Sequence, residues 1–252
     1  MGIKTILVSQ PKPAGAKSPY FDLADKYNIK IDFRSFIHVE GISAQEFRSQ
    51  KVDISAHSAV ILTSKTAVDH YFRIAEEMRF EVPDSMKYFC ISETIAYYLQ
   101  KYVPYRKRKM FFGRQTIVDL IDTLKKHKKE KFLLPCTDIL RDKIPATLDT
   151  NGINYSKAIL YRTVASDLSD LENVMYDMLV FYSPGGIESL LKNFPNFKQN
   201  ETVIAAFGPT TANAIVKNKL RLDLHAPQPN APSMTGAIEN FVKNPKSKKK
   251  VS

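Results

Sequence analysis

Short apolar runs alternate along the whole chain with segments whose apolar residues recur every three or four positions. A brief apolar run bounded by turn residues suits a strand buried on both faces, and the three-four spacing suits a helix laid against it. The pattern predicts strands at Thr5–Ser9, Ala59–Thr63, Tyr88–Ser92, Lys109–Phe112, Phe132–Cys136, Met178–Ser183, Val203–Phe207 and Leu222–His225, each followed by an amphipathic helix. Val68, Tyr71, Phe72 and Ala75 mark one such helix, and Ile117, Leu120, Ile121 and Leu124 another. Strand and helix in strict alternation are the signature of parallel α/β sheets.

Two longer stretches, Ile29–Val39 and Ile153–Val164, alternate polar with apolar residues instead, as extended strands with one wet face do. They read as a pair of crossing segments. An internal repeat agrees: Ile29 is answered by Ile153, Ser64 by Ser183 and Thr94 by Thr211, at offsets of 124, 119 and 117 residues. Similar segments at nearly one offset predict duplicated lobes. The expected fold is therefore α/β, with two similar lobes, each a parallel sheet flanked by helices, joined by a two-stranded β-ladder with a cleft between them. Residues 1–37 and 164–242 would form a discontinuous lobe 1, residues 40–154 lobe 2, residues 30–39 and 155–164 the ladder, and residues 243–252 a basic tail.

Charge narrows the partner. Lys and Arg number 37 against 26 Asp and Glu, a net +11 that predicts an anionic partner. Five lysines, Lys243, Lys246, Lys248, Lys249 and Lys250, stand in the last ten residues, and without them the charge is +6. Such a tail reads as a solvated segment or as an RNA or membrane-surface contact. The run Tyr105-Arg106-Lys107-Arg108-Lys109 reads either as a nucleic-acid contact or as an edge strand defended by charge, and Lys125–Lys131 as a solvated helix end. Cys90 and Cys136 lie in apolar runs without C-x-x-C spacing, as buried thiols of a reducing compartment would. No stretch approaches 18 apolar residues and the N-terminus has no secretory pattern, so a soluble cytoplasmic protein is expected.

Several chemistries are unsupported. There is no P-loop, no G-x-G-x-x-G and no G-x-S-x-G, and His38, His57, His70, His127 and His225 are scattered without ligand spacing. Each histidine reads as a surface or capping residue. What does recur is a strand-to-helix junction rich in small and hydroxyl residues: Thr63-Ser64-Lys65-Thr66, Ser92-Glu93-Thr94, Ser183-Pro184-Gly185-Gly186 and Gly208-Pro209-Thr210-Thr211. Such residues either cap the helix or leave main-chain N–H groups at its positive end to meet a carboxylate or phosphate. Two junctions per lobe point to an anion cleft, in an enzyme or in a two-lobe module that sequesters an anionic metabolite.

The strings Phe207-Gly208-Pro209-Thr210-Thr211-Ala212, Tyr182-Ser183-Pro184-Gly185-Gly186-Ile187 and Leu62-Thr63-Ser64-Lys65-Thr66-Ala67-Val68 together resemble the uroporphyrinogen-III synthase family. Tyr161-Arg162-Thr163 resembles that family's tyrosine-containing strand, and Pro227 and Pro232-Ser233 before Ala237-Ile238 its Pro-rich approach to the last helix. The resemblance implies two α/β lobes and a lyase that closes hydroxymethylbilane to uroporphyrinogen III, inverting the last ring, with no cofactor and no metal. That substrate carries eight carboxylate arms. The resemblance also implies Tyr161 as the catalytic residue, assisting departure of the hydroxyl group. Substrate binding would fall to Ser64, Lys65, Thr66, Ser183, Gly185, Gly186, Thr210 and Thr211. Lys65 stands where the family often has arginine, Gly185 where serine is frequent, and Ser9-Gln10 where Arg-Pro is common, and main-chain contacts survive such changes. The expected partner is the small-molecule substrate alone, met by a monomer without nucleic acid or membrane.

Overall fold

A computed structural model describes residues 2–15, 17–139, 143–172 and 174–243. The basic tail expected at 243–252 lies outside these residues apart from Lys243. In chain order the elements are β1 (Thr5–Val8), α1 (Pro19–Tyr27), β2 (Lys30–Phe33), β3 (Ile37–Gly41), α2 (Ala44–Ser49), β4 (Ala59–Leu62), α3 (Lys65–Glu77), β5 (Lys87–Cys90), α4 (Glu93–Leu99) and β6 (Met110–Phe112). Then follow α5 (Ile121–Lys126), β7 (Phe132–Thr137), α6 (Lys143–Thr150), β8 (Tyr155–Ala165), β9 (Met178–Phe181), α7 (Pro184–Asn193), β10 (Val203–Phe207), α8 (Pro209–Lys217), β11 (Leu224–Ala226) and α9 (Met234–Lys243). The chain divides into two compact units, one made of Met1–His38 and the chain from Val164 on, the other of Val39–Thr163.

The first unit carries a five-stranded sheet in the order β11-β10-β9-β1-β2, with parallel pairing throughout. Its central strands are buried along their length because helices cover both faces. Ile6, Val8 and Val180 pack under α1 and α9, and Leu7, Leu179 and Ile204 under α7 and α8. Asp177, just before β9, ties the first strand to the sheet: one carboxylate oxygen accepts from Lys4 N at 2.8 Å, Thr5 N at 2.9 Å and Thr5 Oγ1 at 3.1 Å. Partial burial pushes the Asp177 carboxyl up, but these donors outweigh it and hold it below the usual carboxylate range. Asp177→Ala is expected to cost about 2 kcal/mol at neutral pH. Because the folded-state value is depressed, that contribution is present above the unfolded value, near 3.9, and is lost as pH falls through the folded one. Thermal midpoints of wild type and Asp177→Ala should therefore converge in acid, and a constant gap from pH 7 to pH 2 would remove the ionised carboxylate from the account.

The second unit carries a six-stranded sheet in the order β3-β8-β7-β4-β5-β6. Helix α3 shows why this sequence folds as it does: Ser64 caps its start, and Ala67, Val68, Tyr71, Ile74 and Ala75 form one buried stripe against β4 and β7. Strand β6 ends the sheet, and the basic run before it sits at that edge, with Arg106 paired to Asp84 at 3.1 Å and Phe112 exposed. Both cysteines are free and buried, Cys90 in β5 and Cys136 in β7.

The expected crossing strand over 29–39 is instead two strands. Lys30–Phe33 pairs in parallel with β1 in the five-stranded sheet, and Ile37–Gly41 joins the six-stranded sheet beside β8. The break comes where Phe36 turns into the first unit's core, 1% exposed and edge-on to Phe181 at 5.7 Å. The polar-apolar alternation slips at this point, where Arg34-Ser35 and Phe36-Ile37 put two polar and then two apolar residues side by side. The chain passes between the units within β3 and within β8.

Candidate functional site

In the second unit the expected residues gather where β4 gives way to α3. Ser64 is the N-cap: Ala67 N donates to its Oγ at 3.0 Å. That bond uses a lone pair of the hydroxyl, so the hydroxyl's own proton is free to turn toward the phenol of Tyr161, with which Ser64 interacts. Burial pushes the Tyr161 phenol above its ordinary value, with the Ser64 interaction opposing. The phenol is thus protonated at neutral pH and has a proton to give.

Tyr161 reaches this place through an irregularity. In the parallel pairing of β7 with β8, Cys136 faces Ile159 but the next residue, Thr137, faces Tyr161, so Leu160 is an extra residue in β8. A regular strand sends alternate side chains to opposite faces. Before the extra residue, Tyr155 packs on the face of Ile61 and Leu134, while Ala158 and Leu160 pack on the face of α3. The bulge brings Tyr161 to the α3 face as well, where Leu160 is already buried. There its ring, 8% exposed, stacks on that of His70 with centroids 5.0 Å apart and planes 21° apart. His70 reads as a surface residue in the sequence, and the one cue to its place is its position beside the buried stripe at 67, 71 and 74.

At the start of α3 the N–H groups of Lys65 and Thr66 take no protein acceptor among the described residues, as expected of the first turn of a helix. Lys65 Nζ lies over the Tyr98 ring at 5.2 Å and pairs with no acid among the described residues. The nearby carboxylate, Asp69, is already occupied: Tyr98 Oη donates to it at 2.8 Å, Tyr102 Oη at 2.5 Å, and Lys101 Nζ stands 3.7 Å away. The arrangement leaves a cation, two main-chain donors and a neutral phenol facing one helix start, which suits a carboxylate-bearing ligand.

The first unit builds its junctions differently. Helix α7 starts with Ser183 as N-cap and Pro184 at the first position, which has no N–H. Gly186 N donates to Ser183 Oγ at 3.3 Å and to the Ser183 carbonyl at 3.2 Å, so the Gly186 amide, expected as a ligand donor, is consumed by the cap. Gly186 is also buried, and a Cβ there would stand 3.2 Å from the Phe181 ring and 3.5 Å from Ser9 Oγ. Gly185 N alone stays open in that turn. Helix α8 starts at Gly208, whose φ of 83° favours glycine, followed again by a proline. Thr210 is exposed, whereas Thr211, also expected to meet the ligand, is only 1% exposed, main chain and hydroxyl together. Beside this junction Tyr182 and Tyr20 share a hydrogen bond of 2.6 Å, and Tyr182 leans on Phe207.

A cavity of about 340 Å3 in the first unit is lined by Phe36, Leu179, Leu190, Phe194 and Phe197 among others, and none of the expected site residues borders it. Among the described residues no group of three or more His, Cys, Asp or Glu side chains is placed to hold a metal ion, and no helix is long and apolar enough to cross a membrane.

Residues 22–236 match the family profile described as uroporphyrinogen-III synthase HemD. A uroporphyrinogen-III synthase of Saccharomyces cerevisiae is 26% identical over 139 residues, half of this chain and half of that protein. Among solved structures, a uroporphyrinogen-III synthetase of Helicobacter pylori superposes with a TM-score of 0.58 at 16% identity, covering 96% of this chain and 99% of the other. A mutant uroporphyrinogen III synthase of Thermus thermophilus superposes with a TM-score of 0.50 at 13% identity, covering 96% and 99%. These two share the fold of mixed α/β units with parallel sheets.

Proposed function

The chain belongs to the uroporphyrinogen-III synthase family, and we propose that it is a lyase that cyclises hydroxymethylbilane to uroporphyrinogen III, inverting the last ring, with no cofactor. The observation that carries this reading is the meeting of Tyr161, Ser64 and the open N–H groups of Lys65 and Thr66 at one helix start. The reaction asks for little strong acid-base chemistry. The hydroxymethyl carbon loses its hydroxyl group as water to give an electrophilic azafulvene, and the substituted carbon of the far ring attacks it. A spiro intermediate then breaks and recloses with that ring inverted.

Tyr161 suits the first step, because a buried phenol held protonated donates its hydrogen to the departing hydroxyl group. The proton released from the pyrrole N–H as the azafulvene forms balances the one the phenol gives up, so the phenol is restored through solvent. Lys65 and the amides at 65 and 66 hold a carboxylate arm, which orients the reacting end and offsets charge as it develops. In the other unit Ser183, Gly185 N and Thr210 are donors of the same class. The cationic excess of the chain suits a substrate with eight such arms. The reading takes the chain as a cytoplasmic monomer, and its two buried free thiols suit a reducing compartment.

The test supplies freshly generated hydroxymethylbilane to the purified chain, stops the reaction, oxidises the products and separates type I from type III uroporphyrin. Predominantly type III product is expected. Type I alone, the product of uncatalysed closure, from folded protein would leave an anion-binding module as the better account.

A further inference from the structure

Arg73 sits two turns into α3, on the side of the helix that carries His70. Its guanidinium donates to the Ile42 carbonyl at 2.8 Å and to the Leu160 carbonyl at 3.1 Å, and it pairs with Glu77. Leu160 is the extra residue of β8, so Arg73 takes up a carbonyl at the very irregularity that sends Tyr161 to this face. The fit is tight: a Cβ on Gly41 would stand 2.8 Å from the guanidinium. A further donor, Nε–H, points at His70 Nδ1 at 3.0 Å. A guanidinium only donates, so Nδ1 must accept, and the imidazole proton is on Nε2. That ring is the one stacked on Tyr161.

We propose that Arg73 and His70 are positioning residues for Tyr161: Arg73, anchored on the bulge carbonyl, fixes His70 in a single tautomer, and the His70 ring sets the plane of the phenol. The proposal rests on the reading of Tyr161 as the group that assists departure of the hydroxyl. The ionisable groups facing His70 are Arg73, Asp69 and Glu77 from its own helix and Tyr161 from β8. Burial and then Arg73 push the imidazole below its ordinary value, with Asp69 and Glu77 opposing, so the ring stays neutral where a free histidine takes up a proton. A charged ring would lose the Arg73 bond, since both nitrogens would then donate, and the stack would be free to turn.

Two measurements on the full chain test this. Long-range proton-nitrogen correlation spectra of wild type should show His70 as the Nε2–H tautomer, neutral as pH falls through about 6.5. In Arg73→Met the titration should move up from its wild-type position while staying below the ordinary histidine range, because burial still lowers it, and the acidic limb of kcat should move up with it. Kinetically, His70→Ala should lower kcat for type III product about tenfold, and His70→Phe, which keeps a flat ring, should recover most of it. In a Tyr161→Phe background His70→Ala should produce no further fall.

A wild-type His70 that titrates near 6.5 or carries its proton on Nδ1 would overturn the proposal. So would a His70→Ala effect that persists in full when Tyr161 is already phenylalanine. If Tyr161→Phe alone leaves turnover unchanged, the catalytic reading of Tyr161 falls and the positioning role with it. The tautomer spectra then still report separately whether Arg73 fixes the ring.

Discussion

Tyr161→Phe is expected to lower turnover to type III product about 100-fold, the lower end of what a positioned proton donor supplies. The substitution removes one oxygen and nothing else. The ring keeps its stack on His70 and its place among the residues packed on α3, so the thermal midpoint should barely move. The partner left behind, the Ser64 hydroxyl, already serves as the cap of α3 and keeps that bond. A large fall in kcat with an unchanged midpoint and unchanged KM would assign the phenol to the chemical step. Unchanged turnover would remove it from the mechanism.

Phe181→Ala is expected to have the largest effect on stability, about 3–5 kcal/mol, because a fully buried ring is deleted from a site that cannot collapse. Phe181 ends β9 directly beneath the start of α7. On one side it meets the Phe36 ring, and on another it lies so near Gly186 that a Cβ there would stand 3.2 Å from it. Against a total stability of about 5–15 kcal/mol, the loss should shift the urea midpoint far down. Hydrogen exchange should place it in the first unit, leaving amides of β4 and β5 protected. A loss below about 1 kcal/mol would mean that the α7 start repacks freely, and the rigid setting of Ser183 and Gly185 would no longer hold.

The sheets were legible because their strands are buried on both faces. Val60, Ile61, Leu62 and Ile204, Ala205, Ala206 are uninterrupted apolar runs, and all eight of the expected buried strands are present within a residue or two. The family was legible in the short strings at the strand ends, since the residues that cap helices and admit close backbone approach are confined to few types. Two things escaped. The split of 29–39 into β2 and β3 escaped because the slip in alternation at Ser35-Phe36 is a single step in an otherwise alternating stretch, and Phe36 turns into a core that other segments build. The site escaped in part because exposure is a tertiary property. Thr210 and Thr211 are identical letters, yet one meets solvent and the other lies under the helix. His70 carries no motif at all, and its role follows only from where Arg73 and Tyr161 arrive in space.

The extra residue at Leu160 makes the placement of the tyrosine a matter of counting. Its side chain faces α3 only because one more residue lies on this strand than on its neighbour, and the parity of the strand, rather than the chemistry of position 160, decides the outcome. Substitution there leaves the phase intact. Insertion or removal of a single residue between Tyr155 and Leu160 would carry the same tyrosine to the opposite side of the sheet, among Ile61 and Leu134. A tyrosine aligned at this place in any other chain is therefore equivalent to Tyr161 only if the spacing that precedes it is also preserved.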